Sequence, residues 1–200
     1  MGVFPFISFI TEWVLPEKNQ RKTVLSDEDL MTAASKGDMK AFEEIVRRYQ
    51  ASVWRVAVRF IGDAADAQDI TQTVFLKILE SAPRYRTISL FKTYLFRIVT
   101  TTCIDFSRKK RPDKLKDLSE IQDRSPPAMD DMIVHQRKKA VRDAIETLSL
   151  RYRSVIILRY DAELSIRDLS GVLKITEKAV ERLLAHARNA LYIRLKKKMD

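Results

Sequence analysis

Asp66 and Asp69 stand three residues apart, a spacing that on a helix sets two carboxylates on one face, as paired acid–base chemistry requires. No basic partner or pocket motif accompanies them, so they carry no catalytic reading. His135 and His186 are far apart in the chain with no cysteine at metal-ligand spacing, and neither reads as a metal site. Cys103 is the sole cysteine, which excludes a disulfide framework within the chain and suits a reducing cytoplasm. Its setting, Thr101-Thr102-Cys103-Ile104, fits a helix core position. Four glycines in 200 residues, none in a phosphate-binding run, argue against a nucleotide loop. These residue types point away from an enzyme, a metal centre or any cofactor. What remains is recognition of a polyanion.

That chemistry is concentrated in Ser165 to Arg188. Ser165 with Asp168 makes a capping box, and Ile166, Leu169, Val172 and Leu173 form one apolar stripe. Lys174-Ile175 breaks the pattern, Thr176 can cap again, and Val180, Leu184, Ala187 and Leu191 recur at helical spacing. The spacing predicts a helix-turn-helix. Lys178, Glu181, Arg182 and Arg188 fall on the second helix's other face, where such side chains reach phosphates and base edges in a major groove. An ordinary helical hairpin with a solvated charged face is the alternative from this segment alone.

Charge supports the first reading. The net +10 divides into +1 for residues 1–25, +3 for 26–110, −2 for 111–136 and +8 for 137–200, so the field that attracts nucleic acid sits with the helix-turn-helix. Scarce glycine and proline beside abundant Leu, Ala, Lys, Arg and Glu predict an all-α protein of two small helical domains joined by a flexible linker. Residues 1–25 form an apolar extension broken by Pro5, Glu12 and Pro16, neither a signal peptide nor a membrane span, and their role is not readable. Ser26 and Asp38 are caps for a short and a long helix, the latter running to Gly62. A third helix covers about Ala64 to Ser81 until Pro83, and a fourth about Leu90 to Lys109. Between them Arg84-Tyr85-Arg86-Thr87-Ile88-Ser89 combines cations, an aromatic ring and hydroxyls, a composition that can stack an unpaired base while holding phosphates. Residues 112–128 are acidic and contain Ser125-Pro126-Pro127, which marks the linker between a domain at 26–111 and one at 129–200. The second domain reads as four helices: 129–148, Leu150 to Tyr160 and the helix-turn-helix.

Three stretches in this order resemble the extracytoplasmic-function sigma factors of bacterial RNA polymerase, a two-domain group of the sigma-70 family. They are Gly37 to Glu44 with Arg47-Arg48-Tyr49; Gly62 to Leu76, GDAADAQDITQTVFL; and Leu148 to Arg188. The resemblance covers about residues 26–200. It implies a factor that binds the β′ and β subunits of core polymerase, directs it to promoters with −35 and −10 elements, and helps open the DNA, in the cytoplasm and without a small-molecule substrate. Asp69 and Gln72, with Asp66 and Phe75 beside them, match the polymerase-binding positions. Arg84, Tyr85, Arg86, Tyr94, Thr101, Asp105, Arg108 and Lys109 match the part that recognises and melts the downstream element. Lys178, Glu181, Arg182 and Arg188 lie where the upstream element is read. An anti-sigma factor is a further implied partner.

Several positions depart from the family pattern. Tyr94 replaces the usual tryptophan, Thr101 an asparagine, Thr73 a glutamate and Lys174 the turn glycine. Glu181 replaces a lysine, removing a phosphate contact and adding an acceptor suited to a cytosine amino group, so the sequence read is expected to differ from the group's common one. Decay of DNA reading is the alternative, against which the +8 charge of the domain argues. The competing readings are a sigma-like mimic that occupies a regulatory partner without reading DNA, and an operator-binding regulator that leaves the first domain unexplained.

Overall fold

The computed structural model describes residues 25–87, 90–110 and 139–199, and all regular structure among them is helical. Capping residues set the boundaries. Helix α1 (Asp27–Ser35) begins where Ser26 Oγ accepts the Asp29 N–H at 3.1 Å, with Asp27, Glu28 and Asp29 in its positive first turn. Helix α2 (Met39–Ile61) begins at Asp38, whose Oδ1 accepts the N–H groups of Lys40 and Ala41 at 3.0 and 3.2 Å. It stops at Gly62, which takes the left-handed conformation at φ 81° and donates its N–H to Val58 O. Asp63 then caps α3 (Ala64–Ser81), and Pro83 sits in the single 3-10 turn Ala82–Arg84 that ends it. Helix α4 (Phe91–Lys110) completes the first unit. Its inner face buries Phe91, Leu95, Phe96, Val99 and Cys103, placing the thiol in the core as its sequence setting predicts.

The second unit consists of helical residues 139–146 (α5), α6 (Leu150–Tyr160), α7 (Ile166–Leu173) and α8 (Glu177–Met199). Five consecutive residues of α6, Ser154 to Leu158, are buried, which makes it the central helix on which α7 and α8 rest. The Ser165–Asp168 capping box is complete in both directions at the start of α7. Lys174 makes the turn into α8 with φ 54° and ψ 44°, a left-handed conformation that a side chain adopts at a cost of about 1 kcal/mol. Thr176 Oγ1 accepts the Ala179 N–H at 3.2 Å at the entry to α8.

The two units are not held apart. Helix α2 packs on α6 and α4 packs on α7, and the buried apolar side chains of both units form one cluster. The linker at 112–128, the first part of the helix expected over 129–148, and the apolar extension apart from Leu25 lie outside the described residues.

Candidate functional site

Helix α3 offers the first candidate surface. Ala67, Ile70, Val74 and Ile78 are buried on one side. On the other, Asp69, Gln72, Thr73 and Leu76 are exposed at i, i+3, i+4 and i+7, a single stripe. Asp66 is half-buried in the first turn, where its N–H is held by Asp63 Oδ1 at 2.8 Å. Phe75 does not belong to this surface. It is 8% exposed because it stands three residues before Ile78 and inside the buried stripe, whereas Leu76 is 53% exposed and supplies the apolar group beside Asp69 and Gln72. The 3.6-residue period of α3 was enough to make that distinction.

The second surface surrounds the segment between α3 and α4. Arg84 and Arg86 are exposed, but Tyr85 is half-buried and is not presented as a free stacking platform. Its ring meets Phe91 and Tyr94 edge-on, at centroid separations of 6.3 and 5.5 Å, and its hydroxyl is buried with no hydrogen-bond partner among the described residues. Burial pushes that phenol up to about 12. Tyr94 is half-buried as well and shares a 2.5 Å hydrogen bond with Ser81 Oγ. Composition identified the aromatic residues of this segment, but their packing against Phe91 is a tertiary outcome.

Helix α1 fixes that segment, a role invisible in sequence. Glu28 Oε1 accepts the Phe91 N–H at 2.7 Å and so caps α4 from a distant helix. Asp27 accepts from the Tyr49 hydroxyl and from Arg48 Nη1, the latter at 2.8 Å, tying α1 to α2. Glu44 is clamped by Arg47 and Arg48, whose hydrogen bonds hold its carboxyl down to about 2. Along α4, Thr101, Asp105, Arg108 and Lys109 are all exposed, at i, i+4, i+7 and i+8.

The third surface is α8. Val180, Leu184 and Ala187 face the core, and Lys178, Glu181, Arg182 and Arg188 are exposed as the spacing predicts. Arg188 is nonetheless engaged: its Nε donates to Tyr160 Oη at 2.8 Å and its guanidinium lies 5.8 Å from the centre of that ring. Arg182 lines a cleft with Ser149, Arg151, Tyr152 and His186. His186 could have been found, since it follows Arg182 by four residues on the same helix. Arg151 and Tyr152 come from α6 and are brought there by packing alone. The described residues contain no group of three or more potential metal ligands, and none of their helices is long and apolar enough to cross a membrane.

Comparison with known proteins assigns the two units to one lineage. Residues 45–112 match the model for sigma-70 region 2, and residues 138–191 match that for sigma-70 region 4. The chain is similar to the extracytoplasmic-function (ECF) RNA polymerase sigma factor SigW of Bacillus subtilis, at 29% identity over 78% of this chain and 89% of the relative. It is equally similar to the RNA polymerase sigma-E factor of Streptomyces coelicolor, at 29% identity over 79% and 90%. In fold it resembles CnrH, solved in complex with the cytosolic domain of CnrY, with a TM-score of 0.68 at 22% identity over 86% of this chain and 97% of that one. The sigma factor RpoE of Bartonella quintana, solved with the anti-sigma factor NepR, superposes with a TM-score of 0.61 at 18% identity over 78% and 98%. A region 2 followed by a region 4 defines a promoter-recognition subunit of bacterial RNA polymerase. The chain belongs to the sigma-70 family, in its extracytoplasmic-function group. It binds core RNA polymerase and promoter DNA, directs the enzyme to particular promoters and promotes their opening.

Proposed function

We propose that these tasks are divided among the three surfaces. The exposed α3 stripe, Asp69, Gln72 and Leu76 with Asp66 at its edge, docks on a basic helical surface of the polymerase, with acid and amide groups ringing an apolar centre. Lys178, Glu181 and Arg182 read the upstream element as duplex from the start of α8, with Arg188 on the flank. Arg84, Arg86, Thr101, Asp105, Arg108 and Lys109 hold the downstream element and its displaced strand, and Tyr85 and Tyr94 take part once their aromatic cluster rearranges. Residues 26–111 and 129–200 are thus the two working domains, and the acidic linker at 112–128 lies along a basic channel of the polymerase. No step needs covalent catalysis, because captured bases and strand offset the cost of unstacking.

The observation that carries this reading is the exposed Lys178-Glu181-Arg182 face, backed by buried Val180, Leu184 and Ala187 on the frame of α6. The cytoplasm is where such a factor meets the polymerase. RpoE of Bartonella quintana is held by an anti-sigma factor, and a protein of that kind is the regulatory partner expected here.

The test is a double dissociation. Arg182→Ala should weaken promoter-duplex capture and leave core binding intact, whereas Asp69→Lys should set like charge against the polymerase and do the reverse. Loss of both functions in each variant would remove the division of labour.

A further inference from the structure

Two residues other than glycine hold a left-handed backbone among the described residues, Glu163 at φ 53° and Lys174 at φ 54°, and they bracket α7. Both are exposed. Lys174 stands at the joint of the helix-turn-helix, where the family pattern has glycine. A residue with a Cβ is disfavoured in that conformation, and backbone kept in a sparsely populated region points to a task for the side chain that is kept with it.

Nothing local accounts for the lysine. The turn itself is made by the main chain: the N–H groups of Lys174 and Ile175 both donate to Ser170 O, the second at 3.2 Å, and a glycine would form the same bonds. Charge at the end of α7 is no better reason. A cation complements the carbonyl end of a helix from its last turn, yet the last turn of α7 carries none, although Ser170 is helical and only half-buried. Nor does the ammonium serve a neighbour, since among the described residues Lys174 has no ion-pair partner. The side chain is exposed and unengaged, on a backbone that two hydrogen bonds hold in place.

Its position decides what it can meet. In a helix-turn-helix the first helix crosses the sugar-phosphate backbone and the second enters the major groove by its N-terminus, so the joint between them stands over the edge of the groove. Lys174 lies two residues before Thr176, which accepts the Ala179 N–H at the head of α8, and four before Lys178 on the reading face. A phosphate at the groove edge is within reach of its flexible stem, and a compact point charge suits a phosphate better than a base edge. Glu177 and Glu181, exposed on the first two turns of α8, repel the duplex, which makes a cation at the joint more useful.

Resting on the division of labour above, we propose that Lys174 contacts a backbone phosphate of the upstream duplex, and that the chain keeps a left-handed lysine for this contact where glycine would be more stable. The contact grips and does not read: it adds affinity for any sequence, whereas Glu181 and Arg182 choose among sequences.

Three substitutions at this one position separate charge from strain. Lys174→Arg keeps both, Lys174→Ala removes the charge and keeps the strain, and Lys174→Gly removes both. The full chain is titrated with a labelled mixed-sequence duplex at about 50 to 200 mM salt, beside Arg182→Ala as a reference, and core binding of each variant is measured in parallel. Loss of one phosphate contact should weaken binding at about 0.1 M salt by roughly three- to tenfold and flatten the slope of log K against log salt by about 0.9. The alanine and glycine variants should both show this loss, and arginine should keep the parent values, with core binding unchanged throughout. A purely structural role in the turn would give another order, with glycine at or above the parent and alanine below it. That order, or parental binding by Lys174→Ala while Arg182→Ala binds more weakly, would overturn the Lys174 contact and leave the upstream face standing. No salt-dependent binding by the parent, or unaltered binding by both alanine variants, would instead defeat the functional reading of α8 and the Lys174 contact with it.

Discussion

Leu76→Ala isolates the contribution of the one large apolar side chain on the proposed polymerase-docking stripe. Leu76 is 53% exposed in the free chain, so about half of the 1.5–3 kcal/mol gained by fully burying a leucine is still to be realised on docking. Truncation should therefore weaken core binding by about 0.75–1.5 kcal/mol, or roughly three- to twelvefold in Kd. The assay is a fluorescence titration of labelled factor with core enzyme, run beside urea unfolding of the same variant. Stability should change by less than about 0.5 kcal/mol, because the lost methyl groups face solvent. Phe75→Leu is the companion. Phe75 is 8% exposed, so its substitution should lower stability while the folded fraction keeps its affinity for core. An unchanged Kd for folded Leu76→Ala, or a weaker Kd for folded Phe75→Leu, would refute the placement of the docking face.

Two further outcomes follow from local physics. Glu44→Gln should lower stability near neutral pH by about 1 kcal/mol, a value reduced by solvent screening because the Glu44 side chain is 29% exposed. Since the folded carboxyl titrates at about 2 against an ordinary 4.5, the contribution is whole above pH 4.5 and is lost as pH falls towards 2. Parent and variant melting curves should therefore converge as pH falls towards 2, and a gap still undiminished at pH 2 would contradict the Arg47–Glu44–Arg48 clamp. Lys174→Gly should raise the melting temperature by roughly 2 °C through relief of the left-handed turn, with Lys174→Ala neutral as the control for lost charge. Equal melting of the glycine and alanine variants would show that the turn stores no strain.

What was legible in the sequence was local. Ser26, Asp38 and Ser165 each cap the helix they were expected to cap, and Gly62 ends α2 in the conformation a glycine suits, because these signals act over four residues or fewer. The exposed Lys178-Glu181-Arg182 face was legible for the same reason: helical period alone separates it from Val180, Leu184 and Ala187. Phe75, matched by resemblance beside the docking residues, is buried, as the period of α3 already requires. Tyr85, read as available for stacking, is packed by Phe91 and Tyr94, and no spacing rule predicts a partner on another element. Glu28 looked like a favourable charge in the first turn of its own helix, yet its carboxylate caps α4. The packing of α4 on α7 was likewise hidden.

DNA opening by this chain with core polymerase is expected to depend on two separated contacts at each chosen site. The most direct measurement is reconstituted run-off transcription on genomic fragments with mapping of RNA 5′ ends. Starts preceded by two shared motifs, the upstream one lost with Arg182→Ala while core binding persists, are the predicted result. Binding to core with no start sites beyond those of core alone, or start sites unaltered by Arg182→Ala, would contradict it.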